Sequence, residues 1–188
     1  MIEKHENLQP STWVARFAGL VPRQGPVLDL ACGSGRHARF FLARDYPVTA
    51  LDRDTSSVAD LKDHEKAEIV QADLEAGDWP LMGRRFAAIV VTNYLHRPLF
   101  PHLLAALEPD GVLIYETFAL GNERFGRPRN PDFLLAPGEL LQIVTGTLRI
   151  VAYEHGEVGR PKRAVMQRLC AVNDPIPGAG QGTPRLIE

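Results

Sequence analysis

Two cysteines, Cys32 and Cys170, in 188 residues are too few for a disulfide framework and suit a reducing compartment. No apolar run approaches the roughly 18–20 residues that a membrane-spanning helix needs. The segment Met1-Ile2-Glu3-Lys4-His5-Glu6 is polar and lacks the apolar stretch of a secretory leader. These absences predict a cytoplasmic protein with no membrane partner. Charge of one sign is missing too. Lys and Arg number 21 against 23 Asp and Glu, a formal net charge of −2, which gives no overall attraction to nucleic acid or anionic lipid and leaves only a local basic patch open. Aromatics are 7 % of the chain and do not interleave with its basic clusters as a base-stacking platform requires. No internal repeat is present. What is there, 45 % hydrophobic and 23 % charged residues, fits one globular domain with a sizeable core.

The richest stretch is Val27-Leu28-Asp29-Leu30-Ala31-Cys32-Gly33-Ser34-Gly35-Arg36-His37. An apolar strand holding one acid runs into a glycine-rich turn that opens a helix. Nineteen residues after Gly33, the apolar run Val48–Leu51 ends in Asp52. A strand, glycine turn and helix followed by an acid at the tip of the next strand hold an adenosine-containing cofactor in α/β sheets. Gly33-x-Gly35-x-x-Ala38 also matches a relaxed dinucleotide fingerprint. A pyrophosphate, however, wants bare helix-N-terminal N–H groups and no carboxylate nearby. Asp29 suits the ammonium of a methionine moiety better, and the chain has no room for a separate dehydrogenase substrate domain.

Strands are predicted over 26–31, 48–52, 68–72, 86–91 and 112–116, with helices over 34–44, 54–61 and 99–107 between them. A turn is expected at Glu108-Pro109-Asp110-Gly111. A short amphipathic helix carrying Trp13, Val14, Phe17 and Leu20, capped by Ser11 or Thr12, precedes the first strand and ends at Pro22. Residues 119–136 lack periodicity; a helix over 138–144 and an antiparallel strand pair, 148–153 and 164–172, follow. The organisation predicted is one domain over 1–173, with 1–24 as an N-terminal helical segment or lid, and a Gly/Pro-rich tail over 174–188. The fold class is α/β, a doubly wound Rossmann-like sheet of seven strands, mostly parallel with a terminal antiparallel pair. Ligands of such sheets lie beyond the carboxyl ends of the strands. That rule gathers the 33–37 turn, Asp52, Asp73, the 93–98 segment and the 116–130 loop around one mouth.

Asp29-Leu30-Ala31-Cys32-Gly33-Ser34-Gly35 resembles the first motif of the class I S-adenosylmethionine-dependent methyltransferases, and the resemblance runs from about residue 10 to residue 173. The run through Arg36 and the later Pro137-Gly138-Glu139-Leu140-Leu141 are most similar to the small tellurite-resistance-type members. Ala31 stands where that family more often has glycine. The resemblance implies a methyltransferase whose cofactor is S-adenosylmethionine. Asp29 would act on the methionine amino group, directly or through water, with Ala31, Cys32, Gly33, Gly35 and Arg36 lining methionine and ribose. Asp52 would take the ribose hydroxyls with Arg53 beside the adenine. Asp73 would take the adenine amine while the Leu74 N–H meets the ring, and the backbone of Asn93 would lie near the methyl. The bland alternative for Asp52 and Asp73 is a solvated carboxylate at a strand end.

Methyl transfer from a sulfonium needs alignment and water exclusion, and a base only if the nucleophile carries a proton. The catalytic candidates are His96, whose ordinary pKa of about 6.5 suits a base and which otherwise caps a helix or walls the pocket, and Tyr94, which shapes the pocket or packs. His37, in a first helical turn, reads as structural. Asn93-Tyr94-Leu95-His96 lacks the Asn/Asp-Pro-Pro-aromatic signature of enzymes that methylate base amines. The segment 118–133 is the candidate substrate lid; Arg124, Arg127 and Arg129 would attract an anion, or else pair with Glu123 and Asp132 as a solvated loop. Arg160-Lys162-Arg163 reads as a solvated turn or, with the first cluster, as an RNA-binding rim. The reading is an enzyme, monomer or homodimer, without metal, that methylates a small-molecule nucleophile of anionic or soft character. RNA or protein methylation, and a non-catalytic module that only binds S-adenosylmethionine, are the alternatives; nucleic acid is not the expected partner.

Overall fold

The computed structural model describes residues 9–160 and 162–174. All but the first residue of the 174–188 tail, and residues 1–8 of the N-terminal segment, lie outside the described residues. Seven strands form one sheet in the order β3-β2-β1-β4-β5-β7-β6: β1 (Val27–Leu30), β2 (Val48–Asp52), β3 (Ala67–Gln71), β4 (Phe86–Thr92), β5 (Leu107–Phe118), β6 (Arg149–Val158) and β7 (Ala164–Val172). Pairings among β1–β5 are parallel, and β7 runs antiparallel to both β5 and β6. The doubly wound sheet with a terminal antiparallel pair is the one expected.

Both faces of the sheet are covered, so its central strands are apolar throughout. Along β4 the two-residue period divides the side chains between two cores. Ile89 and Val91 join Leu28, Leu30, Leu113 and Tyr115 on one face. Ala88 and Val90 join Val27 and Ile114 on the other, beneath α1 (Thr12–Phe17) and α2 (Arg36–Leu42). The first face is covered by α3 (Phe100–Ala105) and α4 (Glu139–Val144), through Phe100, Leu103, Leu140 and Val144. The order reverses between β1 and β4, which opens a crevice at the carboxyl ends of both strands.

Several elements depart from the expectation, β6 among them, which runs to Val158, past the predicted 148–153 span, because it pairs with β7 along that length. The 54–61 helix is a 3₁₀ helix, Ser56–Asp63, in a stretch whose Ser and Asp side chains compete with helical backbone bonding. Strand β5 starts at Leu107 rather than 112, and the predicted turn 108–111 is a bulge within it. Asp110 sits there at φ 62°; its N–H donates to the Asn173 carbonyl, and the Asn173 N–H donates to that of Gly111. The residues before β5 consequently form a short helix, 100–105, after a 3₁₀ turn at Arg97–Leu99. The N-terminal helix packs its apolar face into the core. Ser11 Oγ caps it by accepting from the Trp13 N–H, Trp13, Val14 and Phe17 are buried, and the Trp13 indole N–H donates to the Leu169 carbonyl at 3.1 Å.

Candidate functional site

The turn after β1 is held from two sides. The Asp52 carboxylate, at the end of β2, accepts from the Gly33 N–H at 2.8 Å and from the Asp54 N–H at 3.1 Å. Gly33 and Gly35 lie in the left-handed region, at φ 53° and 70°, and so does Ala31 at 51°. For Ala31 a glycine would be easier, because a Cβ there carries roughly 1 kcal/mol of strain. Ala31 is therefore strained backbone just past the carboxyl end of β1. Asn93, after β4, is a second such position at φ 56°, and its N–H donates to the Glu116 carbonyl at 2.9 Å.

A cavity of about 540 Å³ opens at this point, walled by Ala31–Ser34, Arg36, Asp52, Arg53, Ala72–Glu75, Thr92–Tyr94 and Phe133. Three carboxylates, Asp52, Asp73 and Glu75, face two guanidinium groups, Arg36 and Arg53. Burial first, and then the carboxylates of Glu75, Asp73 and Asp52, push the Tyr94 hydroxyl well above its ordinary pKa, so it stays protonated and is a donor rather than a base. Burial, followed by the Asp29 and Asp52 charges, likewise holds the Cys32 thiol neutral. Burial pushes Cys170 up to about 12, consistent with a core residue.

A second cavity, about 930 Å³, adjoins the first and shares Arg36 and Asn93 with it. Its sign is opposite. Arg36, Arg127, Arg160, Lys162, Arg163 and Arg168 line it, and Glu116 is its one carboxylate among the described residues. Phe118, Phe125 and Met166 supply an apolar wall, and residues 9–12 form part of the rim. Arg127, Arg160 and Lys162 have no ion pair among the described residues, whereas Arg163 reaches Glu157 at 3.1 Å. The 118–133 segment that lines both cavities is fastened down. Asn122 donates to the Pro128 carbonyl and accepts from the Val165 N–H, while the Arg97 guanidinium donates to the carbonyls of Asp132 and Leu134 and to both Glu139 oxygens. Burial favours the neutral Glu139 acid, but the Arg97 guanidinium and the Ala136 N–H outweigh it and hold that carboxyl below its usual range.

Of the residues singled out from sequence, Ala31, Cys32, Gly33, Arg36, Asp52, Arg53, Asp73, Leu74, Asn93 and Tyr94 stand on the first cavity's wall. Others do not. Asp29 is 1 % exposed; it accepts from the Ala38 N–H at 2.9 Å and lies 3.7 Å from His37 Nδ1, whose Nε2 accepts from the Ser11 N–H. Its period-two position turns it under α2, so it caps that helix from the neighbouring strand and is on neither cavity wall. Gly35 packs against Val58. His96 is on neither wall, and its carbonyl accepts from the Leu99 N–H to open a 3₁₀ turn. Of the three loop arginines, Arg127 lines the second cavity and the other two are on neither wall. Arg124 is drawn to Glu157 at 3.1 Å and over the Phe125 ring, and Arg129 is exposed outside both walls. The residues overlooked include Glu75, Phe133, Arg168 and, above all, Glu116. The rule that placed Asp52 also marks Glu116, an acid near the carboxyl end of a central strand.

Asp29→Ala is accordingly expected to act on stability. It leaves the Ala38 N–H buried and unpaired, at about 1–3 kcal/mol, while ligand affinity of the folded protein changes less than about threefold. Urea denaturation and calorimetry separate the two effects; a large affinity loss at unchanged stability would return Asp29 to the ligand.

Comparison with known proteins points one way. Residues 27–111 match the family model described as "Methyltransferase domain". A malonyl-[acyl-carrier protein] O-methyltransferase of Enterobacter lignolyticus is 31 % identical over 124 residues, 62 % of this chain and 49 % of that one, so the match spans about half the relative's length. TehB from Haemophilus influenzae superposes with a TM-score of 0.67 at 19 % identity, over 84 % of this chain and 60 % of that one. The Burkholderia thailandensis 1,6-didemethyltoxoflavin-N1-methyltransferase, with 1,6-didemethyltoxoflavin and S-adenosylhomocysteine bound, superposes with a TM-score of 0.65 at 20 % identity, over 90 % and 80 %.

Proposed function

From the premise that this chain has the class I S-adenosylmethionine-dependent methyltransferase fold, as its first motif suggested, we propose that it transfers a methyl group from S-adenosylmethionine to a small molecule bearing an anionic group. The observation that carries the reading is the pair of adjoining cavities of opposite sign. The acidic one suits a donor with a sulfonium and an ammonium; the basic one suits an anion. Asp52 would hold the ribose hydroxyls, Asp73 the adenine amine, and the 31–33 backbone with Arg36 the methionine end. When bound, S-adenosylmethionine supplies an already activated methyl group, so the protein's work is to align the acceptor across Asn93 and to exclude water. A concave, partly apolar cavity favours a small acceptor over RNA, whose backbone would track an open basic stripe.

Methyl-labelled S-adenosylmethionine incubated with the pure protein and a fractionated cell extract tests this: label is expected in the small-molecule or volatile fraction. Label confined to RNA or protein would favour a macromolecular acceptor, and tight binding without any transfer would favour the non-catalytic module. Replacing Arg127, Arg160 and Lys162 together by glutamine is expected to raise KM for the anionic acceptor about 10- to 100-fold, as loss of two or three charge-assisted contacts does, with S-adenosylmethionine affinity nearly unchanged. Equal loss of cofactor affinity in steady-state and calorimetric measurements would count against two separate sites.

A further inference from the structure

We propose that Glu116 is a catalytic residue, taking a proton from an O–H or N–H acceptor whose own anionic group lies against the basic rim; this rests on the methyltransferase reading above. Glu116 is 5 % exposed, yet it lines the acceptor cavity, and its backbone carbonyl is bonded to Asn93, one of the two residues common to both cavities. It therefore stands where acceptor and donor compartments meet. One of its oxygens, Oε2, accepts from Arg168 Nε at 3.1 Å; among the described residues Oε1 has no hydrogen-bond partner. Arg168 does not depend on it for neutralisation, because its Nη1 also reaches Glu154 at 3.3 Å. The guanidinium, on the same wall, thus fixes the carboxylate through Oε2 and leaves Oε1 without a hydrogen-bond partner among the described residues.

Elimination makes the assignment specific. Among the described residues, the cavity wall holds no His, Cys or Tyr, and every other titratable side chain on it is Lys or Arg. Glu116 is the one carboxylate there, and so the one side chain on that wall that accepts a proton from its ordinary charged form. A carboxylate beside the reacting centre has no use for a nucleophile that arrives as a thiolate or oxyanion, and repels it. A hydroxyl or amine gains an acceptor for its hydrogen. The step balances. The nucleophile's lone pair forms the new bond to the methyl carbon, the C–S electron pair stays on sulfur, and the nucleophile's proton passes to Glu116 and then to solvent. The apolar wall of Phe118, Phe125 and Met166 fits a ring between the anionic group and the nucleophile, so the acceptor class is a hydroxy- or amino-substituted aryl acid.

The probe is 4-hydroxy-3-nitrobenzoate, which joins a carboxylate and a ring to a phenol whose ionised form absorbs in the visible. It is added to protein saturated with S-adenosylhomocysteine, at a pH where the free probe is half ionised. Wild-type protein is expected to bind it as the protonated phenol, with the visible band of bound probe reduced at least about twofold. Glu116→Gln is expected to bind it with the band retained, to slow methyl transfer to it by about 10²- to 10⁴-fold, the span of general-base effects, and to keep S-adenosylhomocysteine affinity within about twofold. A probe that stays ionised on the wild-type protein, a measurement needing no variant, would overturn the role of Glu116. So would identical bands in wild type and variant, which would leave Glu116 a counterion for Arg168. Absence of probe binding to protein that does bind S-adenosylhomocysteine would overturn the acceptor class. Failure of the wild type to bind S-adenosylhomocysteine would instead reject the methyltransferase reading itself.

Discussion

Replacing Asp52 by alanine is expected to raise the dissociation constant for S-adenosylmethionine about 10- to 150-fold, equivalent to about 1.5–3 kcal/mol for a lost charged hydrogen-bond acceptor. The carboxylate does two things at once. It closes the Gly33 turn by accepting from its N–H, and it stands on the cavity wall with Asp73 and Glu75. Alanine removes both the proposed ribose partner and the brace of the turn. Asparagine keeps a side-chain oxygen for the Gly33 N–H but removes the charge, so Asp52→Asn should fall between alanine and wild type. Calorimetric titration well below the midpoint of thermal unfolding reads affinity alone. Unchanged affinity in the alanine variant would move the ribose site away from the end of β2.

The same turn shows how far the sequence could be read. Strand positions were legible because buried parallel strands are continuous apolar runs, and β2 and β4 appear at the residues the runs mark. The bulge at 108–111 was not, because Pro-Asp-Gly signals a turn whether or not its backbone groups find partners across a sheet, and those partners come from Asn173. Asp29 and Asp52 both look like ligand-binding acids in one dimension. The two-residue alternation of β1 sends Asp29 under α2, while Asp52 sits just past the last fully buried position of β2. His96 was chosen for its titration and lies off the wall, whereas Glu116 was passed over as the end of a strand. What separates them is which residues reach a cavity wall and the opposite charge of two neighbouring cavities. Such facts arise among residues far apart in sequence, such as Arg168 bonded to Glu116, or Arg127 and Arg160 brought to one cavity wall, which no local pattern encodes.

The two glycines of the turn carry the same signature but different duties, and this gives the other large effect. Gly35→Val is expected to lower stability by about 2–5 kcal/mol, the sum of left-handed backbone strain and overpacking, a large part of the total of about 5–15 kcal/mol typical of a domain. Gly35 caps α2 at φ 70°, and a Cβ built there would fall within the van der Waals contact distance of the buried Val58 side chain. The shift needed would push the 3₁₀ helix Ser56–Asp63 away from α2. Gly33 shares the left-handed conformation, but a Cβ on it meets nothing within 4 Å. Gly33→Ala should therefore cost only about 1 kcal/mol of stability, while its methyl group, on the cavity wall, competes with the bound cofactor. Urea unfolding beside S-adenosylmethionine titration should show Gly35→Val losing stability at near-constant affinity and Gly33→Ala losing affinity more than stability. Equal destabilisation by both would mean that strain in the turn, and not contact with Val58, governs this part of the fold.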